Sequence, residues 1–80
     1  MITIDLSTFY EDGQAELSQL PAYVAQALSL VGQGQDVKLT GAASIWLYLK
    51  IAHALHGVAR TLVYDSPVTG EVVIFNHNPF

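Results

Sequence analysis

The chain opens with Ile2, Ile4 and Leu6 alternating against Thr3 and Asp5, a period of two that predicts a strand over Met1–Leu6. Ser7 to Gln14 carries Glu11 and the Asp12-Gly13 pair and reads as a turn or short loop. The period then changes. Leu17, Leu20, Val24, Leu28 and Val31 recur three and four residues apart, the stripe of a helix, and Pro21 belongs in a helix's first turn, so the regular helix starts near Gln19 or Leu20. Gly32-Gln33-Gly34 ends it, and Val37–Thr40 makes a short second strand. Gly41 turns the chain into a second helix beginning at Ala43 or Ser44, with Gly57 as a left-handed stop just past His56. Arg60–Asp65 and Glu71–Asn76 are two further strands joined by the hairpin loop Ser66–Gly70.

This order, βαβαββ, predicts a small α/β fold with a four-stranded mixed sheet occupying residues 1–80 as one domain. Right-handed crossovers make the first three strands parallel, and the short last loop makes the fourth antiparallel. The two helices then lie on one face or are split over two. Ligands of open α/β sheets gather beyond the carboxyl ends of the parallel strands. Here those ends are Leu6-Ser7, Thr40-Gly41 and Tyr64-Asp65, so the glycine turn and Asp65 share one edge. On the second helix, Trp46, Leu49, Lys50 and His56 fall within about 60° of His53 at 100° per residue. Leu47, Tyr48, Ile51, Ala54 and Leu55 form the opposite, core face. Both imidazoles therefore sit at the far end of that helix from the glycine turn.

Composition narrows the function classes. Charged residues are 12% of the chain and apolar ones 51%, against roughly 25% and 45–50% in ordinary domains. So small a domain has more surface than its few charges cover, which predicts burial against a second copy, a homodimer or larger. Three basic residues, Lys38, Lys50 and Arg60, face seven acidic ones for a net charge of −4. Long nucleic acid is bound largely by neutralising phosphates, so it is not the expected partner; a small ligand with few phosphates is compatible. No apolar run approaches the ~18 residues of a membrane span. No cysteine is present, which removes disulfides and thiolate metal ligands and fits a cytoplasmic setting.

His53 and His56 stand at i and i+3, near enough for one metal or one phosphate to touch both. A solvated helix end explains that spacing as well. His77 follows the last strand, so all three histidines fall in the last 28 residues, with Asp65 among them. Imidazole is an acid or base near neutral pH and a common metal ligand. Asp65 ends a strand, where a carboxylate can ligate a hard cation or orient an attacking hydroxyl; its plainer role is to start the hairpin turn. The amides from Ala42 to Ile45 open a helix and can hold phosphate, though any strand-to-helix turn can use a glycine such as Gly41. Trp46 reads as a packing or subunit contact.

Thr40-Gly41-x-x-x-Ile45-Trp46-Leu47-Tyr48, Ala52-His53-x-x-His56, Val63-Tyr64-Asp65, Val72-Val73-Ile74 and His77-x-Pro79 together resemble a small CRISPR-associated family of type III systems. Its members are ring nucleases that cut the second messenger cyclic tetra-adenylate and switch off the antiviral response. The resemblance implies a ferredoxin-like or reduced Rossmann-like domain and a manganese-dependent phosphodiesterase acting on adenylate RNA. It also implies dimers, two of which sandwich the cyclic ligand in a tetramer so that the site is composite. By that resemblance His56 and Asp65 are catalytic. His53, His56, His77 and Asp65 are the metal-ligand candidates, and Thr40, Gly41, Ala42, Ala43 and Ser44 hold the ligand.

Two positions depart from the family pattern. Ala42 stands where an arginine commonly follows the glycine, and Asp65-Ser66-Pro67-Val68-Thr69-Gly70 replaces Asp-Pro-Arg-Leu-Gly. Two arginines that would contact phosphate are therefore missing. That leaves a second reading, a module that binds or sequesters the cyclic nucleotide without cutting it. A third is an oligomerising accessory domain.

Overall fold

The computed structural model describes residues 1–11 and 13–78, so Asp12 of the Asp12-Gly13 pair and Pro79 lie outside the described residues. The elements are β1 (Ile2–Asp5), α1 (Leu20–Val31), β2 (Asp36–Thr40), α2 (Ile45–Leu55), β3 (Thr61–Ser66) and β4 (Gly70–Asn76). Strands lie in chain order, β1-β2-β3-β4. The first three are parallel and β4 runs antiparallel to β3. This is the expected small α/β domain with a mixed sheet, and three parallel neighbours in sequence order suit its reduced Rossmann-like description. Two successive crossovers of the same hand in the same direction put both helices on one face, where α1 packs on α2.

The core follows from that arrangement. Ile4, Val37, Leu39 and Leu62 point from the sheet toward Leu47, Ile51 and Leu55 of α2 and Tyr23, Ala27 and Val31 of α1, and all are buried. On α2 the buried face is the one the sequence predicts. On α1 it is shifted. Leu17 lies in a separate 3₁₀ turn, Leu17–Gln19, and is exposed. Leu20, Val24 and Leu28 only flank the buried line Tyr23-Ala27-Val31. Tyr23 can take the inward position because its hydroxyl finds a partner, accepting from the Glu16 amide at 3.1 Å. Fully buried Ala27 lets the helix sit close.

Two loops differ from expectation. The turn after β1 opens with a 3₁₀ helix, Leu6–Phe9, capped by the Asp5 carboxylate accepting from the Ser7 amide at 2.9 Å. Gly57 is not a left-handed stop. His56 stays right-handed at φ −57°, its amide donating to Ala52 and His53 carbonyls. The Val58 and Ala59 amides then close on Leu55, so ordinary turns end the helix.

The sheet's other face carries no helix, and its side chains pair across strands. Lys38 bridges to Glu71 at 2.8 Å. Arg60 grips Asp36 through Nε and Nη2 at 3.0 and 2.6 Å, and Thr61 donates to the same carboxylate at 2.8 Å. A β-bulge interrupts β4: Leu62 pairs with Phe75 but Val63 with Val73, leaving Ile74 as the extra residue. Val72 and Phe75, three apart, thereby share the helix side of the sheet with their partners Tyr64 and Leu62.

Candidate functional site

Beyond the carboxyl ends of β2 and β3 lies an open cleft of about 440 Å³, lined by Thr40, Gly41, Ala42, Ala43, Ile45, Tyr48, Tyr64, Asp65 and Pro67. Its floor is the turn into α2. Gly41 has φ +104°, which strains any side chain, and a Cβ there would lie 2.0 Å from Asp5 Oδ1, which would have to move. The following residues are fixed by tyrosines. Tyr48 donates from its hydroxyl to the Gly41 carbonyl, and Tyr10 donates to the Ala42 carbonyl at 2.9 Å. Ser44 caps α2 in an extended conformation, without a side-chain hydrogen bond to the helix. Thus all five predicted ligand-binding residues, Thr40 to Ser44, fall on this turn, and all but Ser44 line the cleft.

Asp65 closes the opposite side of the cleft. Its plainer role has gone to the next residue: Ser66 Oγ accepts from the Val68 amide at 3.1 Å and the Thr69 amide at 3.3 Å. Among the described residues the Asp65 carboxylate has neither a hydrogen bond nor an ion pair. Tyr48 stands edge-on to Tyr64, ring centroids 5.0 Å apart. Burial pushes the Tyr48 hydroxyl up to about 12, helped by Tyr64 and by the negative charge of Asp5 and Asp65. That phenol therefore stays protonated and remains a donor at neutral pH.

The histidines occupy the other end of the sheet. His77 donates its amide to the Arg60 carbonyl at 2.8 Å, which anchors it beside the start of β3. Its ring lies 4.6 Å from the His56 ring, edge to face, and is stacked at 4.7 Å on Phe75. Phe75 in turn meets His56 at 5.1 Å. The bulge at Ile74 makes this possible by turning Phe75 toward the helices. His53 is exposed one turn earlier on α2.

From Arg60 to Asp65 is five strand residues, roughly 17 Å at 3.3 Å per residue. So the structure brings His56 and His77 together and gathers Thr40–Ala43 with Asp65, but it does not unite these sets within one chain. Among the described residues no three His, Cys, Asp or Glu side chains form a metal-binding group. The four predicted metal ligands, His53, His56, His77 and Asp65, are therefore not one site in a single subunit. Among the described residues no Lys or Arg lines the cleft. Two of the three cations are held in the ion pairs on the open sheet face, leaving Lys50 without an ion pair among the described residues.

The CRISPR-associated protein family Cas_csx3 matches residues 12–80, which takes in both helices, the cleft and every histidine. The chain belongs to this CRISPR-associated family. Membership reaches back through α1, beyond the half of the chain that carries the motifs. No curated protein matches the chain. No solved structure matches it either. Among the described residues no helix is long and apolar enough to cross a membrane.

For this Cas_csx3 member, sequence reasoning missed Tyr10, Tyr64, Ser66 and Phe75 as parts of the two sites. Tyr64 stood within a recognised motif and could have been found from its place beside Asp65. Tyr10 had no signal, because its partner is 32 residues away.

Proposed function

We propose that this chain is a ring nuclease that cleaves cyclic tetra-adenylate and thereby ends type III CRISPR antiviral signalling. The observation that carries the reading is the cleft at the carboxyl ends of β2 and β3, in a Cas_csx3 member, lined by both the glycine turn and Asp65, whose carboxylate makes no hydrogen bond or ion pair among the described residues. A cleft with a carboxylate and no cation is by itself a poor host for a phosphodiester. A second copy presenting its Lys50, His53, His56 and His77 end supplies what is missing: positive charge, and imidazoles to move a proton. Asp65 then orients the attacking hydroxyl, and an imidazole protonates the leaving oxygen. The site is complete only in a dimer or a ligand-bridged tetramer, in the cytoplasm where the messenger acts.

A divalent ion, manganese by family resemblance, fits only as a guest between copies. Among the described residues the donors of one chain do not converge on a common point, so one chain alone would not hold it. The second reading, a non-catalytic module that sequesters the ring, is favoured by Ala42 and by the arginine-free Ser66–Gly70 loop. One experiment separates the two: incubation with cyclic tetra-adenylate, with and without manganese, and resolution of the products. Linear adenylates mean cleavage. Tight binding of an intact ring means sequestration.

A further inference from the structure

The two edges of the sheet are unlike. Among the described residues β4 pairs only with β3, so its outer row of backbone N–H and C=O groups faces no strand. The opposite edge, β1, has four residues and ends on Asp5, short and charged in the way that keeps an edge from pairing. β4 has seven residues, Gly-Glu-Val-Val-Ile-Phe-Asn, and its one charge, Glu71, is turned across the sheet to Lys38. Val72, Val73 and Ile74 come next, and all three are exposed. On the helix side the same edge borders an apolar groove of about 260 Å³, with Ile45, Leu49, Ala52 and Ile74 in its walls. A long apolar edge of this kind is a template for another strand.

Direction decides what such a strand would bring. β3 runs toward the cleft, so antiparallel β4 leaves the cleft at Gly70 and ends at Asn76, where His77 stands beside His56. A second β4 laid antiparallel along the first runs the other way. Its histidine end then lies beside the first chain's cleft, and a two-fold axis repeats the arrangement at the far end. Asp65 pairs with Glu71 on β4, and two strand spacings, about 10 Å, reach from Asp65 to the partner strand. Within one chain, Asp65 and the histidine end stand roughly 17 Å apart along the sheet. A parallel pairing would set cleft beside cleft and join nothing.

We propose that β4 is the interface with a second copy of this chain. The two sheets join antiparallel about a two-fold axis within residues 72–74, and each cleft with its Asp65 receives the partner's His56 and His77. The completion of the site rests on the reading of the cleft as the cyclic adenylate site; the pairing itself rests on the strand. Joining in the plane of the sheet keeps all four helices on one face and sets the two apolar grooves side by side over the seam.

The chain has no cysteine, so a single introduced one reports its own neighbour. The residue on the axis faces its own copy at about 4.5–5.5 Å between Cα atoms, within reach of a disulfide. Of Val72→Cys, Val73→Cys and Ile74→Cys, one should oxidise mostly to a covalent dimer. Thr3→Cys on the other edge and Val68→Cys at the exposed hairpin tip should stay uncrosslinked. Val73→Lys sets like charges against each other across the seam and should give a monomer by light scattering at micromolar concentration, with an unchanged circular dichroism spectrum. No cross-link at any of the three β4 positions overturns the proposal, as does a dimer that persists in Val73→Lys. The locked dimer should cleave cyclic tetra-adenylate at the wild-type rate; an inactive locked dimer whose reduced form cleaves overturns the shared site. If wild type neither binds nor cleaves the ring, the functional reading fails, and the cross-links and Val73→Lys still decide the β4 pairing.

Discussion

Gly41 meets two demands at once, and they can be separated. Its φ of +104° disfavours any side chain, and Asp5 Oδ1 occupies the space a Cβ would take. Gly41→Ala should cost about 1–3 kcal/mol from backbone strain alone, and the displaced Asp5 adds to that. Adding Asp5→Ala should return only the steric part, read from urea denaturation of the single and double variants. Full recovery in the double variant contradicts the backbone argument. Asp36 makes a different residue-scale prediction. Hydrogen bonds from Arg60 and then Thr61 lower its pKa from 3.8 to about 2. A carboxyl depressed in the folded state contributes stability above its unfolded value near 3.8 and loses it as pH falls toward 2. The unfolding midpoint should decline between about pH 4 and pH 2, and Asp36→Asn should flatten that decline. An unchanged acid slope in the variant would sink the assignment.

At the scale of elements, the β3–β4 hairpin divides two tasks between neighbouring residues. Ser66 holds the turn through the Val68 and Thr69 amides, and Asp65 holds nothing in it. Ser66→Ala should therefore destabilise the domain by about 0.5–1.5 kcal/mol, while Asp65→Ala leaves the denaturation midpoint nearly unchanged. Equal losses in the two variants would return Asp65 to a structural role. α2 divides its tasks by position. Leu47, Ile51 and Leu55 bury one face; the first turn meets the cleft, and the last turn presents His56 beside His77. A single helix thus links both candidate sites and holds them apart.

For the whole molecule, the separation of those sites and the exposed apolar surface point the same way. Ile45 is 78% exposed, Leu49 66%, Val73 65% and Ile74 49%, on a chain with few charges to screen them. Light scattering at micromolar concentration should give at least a dimer; a monomer with and without ligand contradicts the composite site. The sharper test is complementation. His56→Ala and Asp65→Ala should each abolish ring cleavage while leaving the fold intact, since His56 is exposed and Asp65 caps no turn. Mixing the two inactive proteins should restore part of the activity, because a mixed assembly contains one intact pair. Two variants that stay inactive when mixed, although they co-assemble, would rule out sharing across subunits.

The sequence by itself determined the order of elements, the parallel and antiparallel pairings, the buried face of α2, and the meeting of Gly41 with Asp65 at one edge. Each of these follows from local periodicity, loop length and the handedness of crossovers, which nearby residues encode. The tertiary structure alone decided the rest. The buried line of α1 moved to Tyr23-Ala27-Val31 because the Glu16 amide satisfies a tyrosine hydroxyl there, a contact no period contains. Strict alternation puts Phe75 on the open face of the sheet; the bulge at Ile74 turned it toward α2, and so built the His56–Phe75–His77 cluster. Tyr10 reached Ala42 across 32 residues of chain. Gly57 looked like a left-handed stop, but the Val58 and Ala59 amides close on Leu55 without one. In each case the outcome was set by a partner distant in sequence or by one extra residue in a strand, and neither leaves a mark in local pattern.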